Sequence, residues 1–132
     1  MNHGSAILAL LGRVLLAAIF LYSGFGKITG FQDSVAYIAG AGLPMPQVLN
    51  LLSILVELVG GLALLIGFRA RWAALAFVVF LIIITPIFHN FWSAPPAEVM
   101  SQQINFIKNM AIVGGMLMVM AFGAGGYSVD KD

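Results

Sequence analysis

Four runs of about twenty apolar residues recur along this chain, separated by short stretches that hold most of its proline and charged positions. The runs fall at about residues 6–26, 48–68, 72–92 and 104–124. A helix of about 21 residues is roughly 30 Å long, which matches the hydrocarbon thickness of a bilayer. Backbone groups in lipid must find partners within their own segment, so the pattern predicts helices rather than strands. The expectation is an all-α, four-transmembrane-helix bundle forming one membrane domain over residues 1–132. The first run lacks a basic leader and continues for about 20 residues, so we expect it to be retained as a span rather than removed as a signal peptide.

The connections add orientation. Gly67-Phe68-Arg69-Ala70-Arg71 is a tight basic turn between spans two and three. The positive-inside tendency places it in the cytoplasm, and with it both termini, with Lys131 in agreement and Lys27 dissenting. In the first outer loop, Asp33 and Ser34 are placed to cap a short interfacial helix over residues 35–39, which Gly40 and Gly42 would end. Pro44 and Pro46 stiffen the entry to span two. Pro86 should kink span three one turn before His89, because it removes a backbone hydrogen bond. Tyr22 and Trp92 are placed like interfacial aromatics.

Composition strengthens this reading. The chain is 61% hydrophobic and 8% charged, against about 25% charged in soluble domains. Its mean hydropathy is +1.04. A net charge of +1 without a basic stripe gives no sign of nucleic-acid binding. The absence of cysteine excludes disulfides, thiol catalysis and Cys-ligated metal centres.

Against this apolar background each span carries one ionisable side chain: Arg13, Glu57, His89 and Lys108. Such a group in lipid must be paired, hydrated or used. Counting from the cytoplasmic ends, Arg13 and Glu57 lie within about 5 Å in depth, so they are a candidate ion pair. The pair would be a structural clamp or a ligand and proton site; the remaining option is that Arg13 snorkels inward. Asn50, Ser53 and Glu57 share one helical face, with Gly60 and Gly61 beyond them. Lys27 either snorkels to water or rims an outer cavity. Lys108 carries the same ambiguity, with Asn105 and Asn109 beside it. His89 suits proton exchange near neutral pH, but His3 lies at the opposite side, so no metal site is expected. The candidate ligand-binding set is therefore Arg13, Lys27, Ser53, Glu57, His89, Asn105, Lys108 and Asn109, with Lys27, His89 and Lys108 lining an outer vestibule. Glu57 would lie below it and Arg13 deeper, in a polar track lined from spans one, two and four.

Taken together, Arg13-x6-Phe20-x3-Gly24-x2-Lys27, Gly30-Phe31, Glu57-x2-Gly60-Gly61, His89-x2-Trp92, Asn105-x2-Lys108-Asn109 and Gly114-Gly115 resemble the DoxX family of small four-helix membrane proteins. The resemblance covers almost the whole chain and implies the cytoplasmic (inner) membrane of a prokaryote. It also implies membrane redox systems, including subunits associated with quinone-dependent thiosulfate oxidation, and oxidative-stress complexes. Quinone is thus the candidate ligand, with a membrane or soluble redox partner and a homo-oligomer as candidate assemblies. The rival expectations are a small-solute or proton carrier and a non-catalytic scaffold.

Overall fold

A computed structural model describes residues 2–132. Among them there are five α-helices and no strand: α1 His3–Thr29, α2 Phe31–Gly40, α3 Pro46–Ile66, α4 Ala70–Phe88 and α5 Val99–Phe122. Two short 3-10 turns, Phe91–Ser93 and Pro96–Glu98, join α4 to α5. The four long helices have the length and apolarity to cross a membrane. Their outward faces carry exposed Leu8, Leu15, Val59, Ile83 and Ile107, a surface suited to lipid and not to water.

Helix ends follow local chemistry. Asn2 caps α1 by accepting the Ser5 amide at 2.7 Å. Gly30 turns the chain at once into α2, which therefore begins at Phe31 and takes Asp33 into its first turn. The expected cap at Asp33 and Ser34 is thus corrected, because Ser34 N–H already bonds to the Gly30 carbonyl. Pro46 opens α3 at a position that needs no amide donor. Gly67, at φ 72°, closes α3 with Phe68 N–H on Ala63 O and Gly67 N–H on Leu64 O, the two bonds of a Schellman end. α4 runs through Pro86 and stops at Phe88, so His89 and Trp92 lie beyond the helix that was expected to hold them. α5 starts five residues before the expected boundary at 104, bringing Gln102 into the helix.

α1 packs on α3, α3 on α4 and α4 on α5, while α1 and α5 barely meet. Glycines set the close approaches. A Cβ at Gly24 would strike Leu58, one at Gly61 would strike Leu21, and one at Gly60 would strike Phe77. α2 lies across α3, burying Val35 and Ile38. The core is Ala17, Phe20, Leu64, Phe77, Leu81 and Met116, with Phe20 and Phe77 stacked at 4.0 Å between ring centres. Both termini and the α3–α4 turn lie at one end, the termini end, and α2 with the 3-10 turns at the other, the loop end.

Candidate functional site

Arg13 and Glu57 do not meet. The Arg13 side chain, only 2% exposed, bonds instead to backbone carbonyls at helix ends. Its Nε donates to Ala124 O at 2.9 Å, and its Nη1 donates to Leu64 O at 3.0 Å and Leu65 O at 2.8 Å. Its Nη2 donates to Tyr127 O. Leu64 and Leu65 lie in the last turn of α3, where carbonyls lack the usual helical partner, and Ala124 and Tyr127 lie in the segment that follows α5. A guanidinium there also meets the negative end of the helix dipole.

Glu57, 3% exposed, pairs with Lys27, and Lys27 Nζ also donates to Ser53 Oγ at 2.9 Å. The physical reason for the swap is side-chain tilt. Every Cα–Cβ bond leans toward the N-terminus of its own helix. α1 starts at the termini end and α3 at the loop end, so Arg13 and Glu57 lean away from each other. Lys27 leans down from the far end of α1 and Glu57 leans up from α3, so those two converge. Depth counted at Cα positions does not contain this.

Asn50 completes the cluster's face of α3. It is 0% exposed, and neither its Nδ2 nor its Oδ1 has a hydrogen-bond partner. Spacings of three and four residues put Asn50, Ser53 and Glu57 on one stripe. Lys27 keeps about a quarter of its side chain open (26% exposed), and its ammonium lies 5.9 Å from the centre of the Phe80 ring. The site is therefore a buried carboxylate, an ammonium with one open side, a hydroxyl and an unengaged amide, flanked by an aromatic face.

The remaining candidates sit elsewhere. Asn109 Nδ2 donates to Thr85 Oγ1 at 3.2 Å, a buried bond between α5 and α4. His89 bonds through Nδ1 to Gln102 Oε1 at 2.8 Å, tying the end of α4 to α5. Lys108 is exposed and reaches only Asn105 Oδ1 at 3.4 Å. No hydrogen bond joins Lys27, His89 and Lys108 among the described residues; each has a separate partner, Glu57, Gln102 and Asn105. Nor is there a continuous polar track. About 10 Å of α3 separates Glu57 from Leu64, and Phe20, Phe77 and Ala17 fill that layer.

Three acidic or tail contacts went unread in the sequence. The Asp130 carboxylate accepts the Arg69 and Ala70 amides at 2.7 and 2.8 Å, capping α4 from about 60 residues away. Val129 and Asp130 amides bond to Ile66 O and Gly67 O. Arg71 donates to the Met120 and Ala121 carbonyls at the end of α5 and pairs with Asp132 at 3.3 Å. The Ala124 amide, partly opposed by desolvation and helped by Arg71, holds the Asp132 carboxyl below the usual carboxylate value of 3.8.

Four apolar helices around a buried ammonium–carboxylate cluster define a multi-pass helical membrane protein. The chain belongs to the DoxX family, whose model matches residues 8–90. It is 35% identical over 125 residues to the inner membrane protein YqjF of Escherichia coli (strain K12), covering 92% of this chain and 88% of that protein. Over another 125-residue alignment it is 31% identical to inner membrane protein YphA of the same organism, covering 95% and 89%. A Surfeit locus protein 4 homolog of Drosophila melanogaster is 27% identical over 133 residues, which is 98% of this chain but 42% of that protein. No solved structure matches. With these relatives, the four spans identify a multi-pass inner membrane protein.

Proposed function

We propose that this protein is a ligand-binding subunit of a membrane redox system, and that it holds a quinone-type headgroup at Lys27, Ser53, Glu57 and Asn50. The carrying observation is the Asn50 amide, fully buried with both polar atoms unpaired. Leaving such a group unsatisfied costs about 1–3 kcal/mol. A ligand with a carbonyl and a hydroxyl would take up its donors and its acceptor. Lys27 and Glu57 supply the proton-exchanging pair beside it, and the Phe80 face supplies a flat wall. The electrons would come from a membrane or soluble partner. Arg13, expected as a carbonyl-binding group, is left to structure because its donors already hold four carbonyls. The positive charges of the α3–α4 turn support cytoplasmic termini, and in that orientation the site would lie in the outer half of the membrane.

The test is organic extraction of the purified protein followed by chromatography for quinones. Wild type should release quinone at a substantial molar fraction, and Glu57→Gln should release much less. Preparations from native membranes that yield none, and that bind no added quinone, would remove this reading. The solute-carrier reading is favoured less because an apolar layer about 10 Å deep closes the interior below Glu57.

A further inference from the structure

The two arginines of the α3–α4 turn are treated differently by the fold. Arg71 is used up by the Met120 and Ala121 carbonyls and by Asp132. The Arg69 guanidinium has no hydrogen bond or ion pair among the described residues. It rests only near the Phe68 ring, 5.7 Å from its centre. Asp130 is the nearest acid that the turn engages, and its two oxygens are occupied by the Arg69 and Ala70 backbone amides. Arg69 also sits in the left-handed region, at φ 47° and ψ 46°, where glycine or asparagine would be easier. Backbone geometry thus gives no reason for arginine at this position.

Below Arg69 a groove of about 380 Å³ opens between α3 and α4. Leu55, Val59 and Ala63 form one wall, Ala73 and Ala76 the other, and Gly60 lies at its floor. From Leu55 to Ala63 the groove runs about 12 Å along the helix, close to the depth of one leaflet's hydrocarbon. Trp72 stands at its mouth beside Arg69, 69% exposed, where an indole sits at the headgroup level.

We propose that this groove is a binding site for an acidic phospholipid of the leaflet facing the turn. The phosphate-bearing headgroup pairs with the Arg69 guanidinium, Trp72 lies against the glycerol region, and one acyl chain lies in the groove. Charge complementarity selects the occupant: an apolar slot capped by one unpaired cation fits an anionic headgroup on an acyl chain. The site is separate from the Lys27–Glu57 cluster, at the other end of the bundle.

Delipidated full-length protein in neutral detergent is tested by native mass spectrometry and thermal unfolding. The probes are phosphatidylglycerol, phosphatidylcholine and inorganic phosphate. Phosphatidylglycerol should be retained and raise the unfolding temperature more than phosphatidylcholine, and phosphate alone should do neither. Arg69→Gln should weaken phosphatidylglycerol retention by about tenfold and erase its advantage. Arg69→Gly should unfold at a higher temperature in neutral detergent, because the strain is relieved, and still lose the preference. Ala76→Phe, which fills the groove from its lipid-facing side, should reduce retention while leaving the fold intact. Equal effects of the two lipids, or a preference that survives Arg69→Gly, would overturn the assignment. So would stabilisation by inorganic phosphate alone equal to that by the lipid.

Discussion

A buried amide in a helix bundle normally engages its neighbours, and Asn50 engages none. Replacing it with leucine, close to it in volume, should therefore stabilise the protein by about 1–2 kcal/mol; a higher unfolding midpoint in detergent checks this. Glu57 poses the opposite case. Lys27→Met leaves a carboxylate that is 3% exposed without its cation, which should cost about 3–5 kcal/mol. The double variant Lys27→Met, Glu57→Leu should recover most of that loss, since an apolar pair of similar size removes the buried charge. Unfolding titrations of the three proteins give the cycle directly. Arg13 depends on geometry as much as on charge. Lysine has three donors on one point and cannot reach four carbonyls spread over α3 and the tail. Arg13→Lys should thus retain less than half of the stability that Arg13→Met loses. The shared face of Asn50, Ser53 and Glu57 was readable in the sequence from its spacing. Their true partner was not, because the tilt of Lys27 and Glu57 toward each other depends on helix direction and reach.

Among the elements, the last ten residues act as a clasp on the termini end. Val129, Asp130 and Tyr127 supply the partners that α3, α4 and Arg13 lack. His3 adds a 2.7 Å bond to the Tyr127 hydroxyl. Asp132 gives this clasp a pH signature. Its carboxyl is held below the ordinary value, so the folded state favours the ionised form. That contribution is present at neutral pH and above the unfolded value. It is lost as pH falls through the lowered folded value. Asp132→Asn should therefore be less stable than wild type at neutral pH, with the gap closing as pH falls below the ordinary carboxylate value; unfolding midpoints against pH measure it. Sequence reading located the four spans within a few residues because lipid demands long apolar runs. It missed the clasp because residues 123–132 are glycine-rich and polar, and a carboxylate that caps a helix 60 residues away leaves no local pattern. α4 continues through Pro86 and ends two residues later, at Phe88.

Across the whole molecule, polarity is segregated into two layers. At the termini end Arg13, Arg71, Asp130 and Asp132 close helix ends with satisfied bonds, while the Arg69 guanidinium stays unpaired among the described residues. The loop end holds Lys27, Ser53, Glu57 and Asn50, where bonding is left incomplete. The stacked Phe20 and Phe77 lie between them. We propose that one layer serves stability and the other exchange with a ligand, and the proposal rests on Asn50. Its most direct test is a binding titration of a short-chain quinone against wild type and Asn50→Leu, run on the same preparations as their unfolding curves. The account predicts that the leucine variant unfolds at a higher temperature and binds at least about tenfold more weakly. Equal affinity in the two proteins, or a leucine variant that is less stable and binds as well, would contradict it.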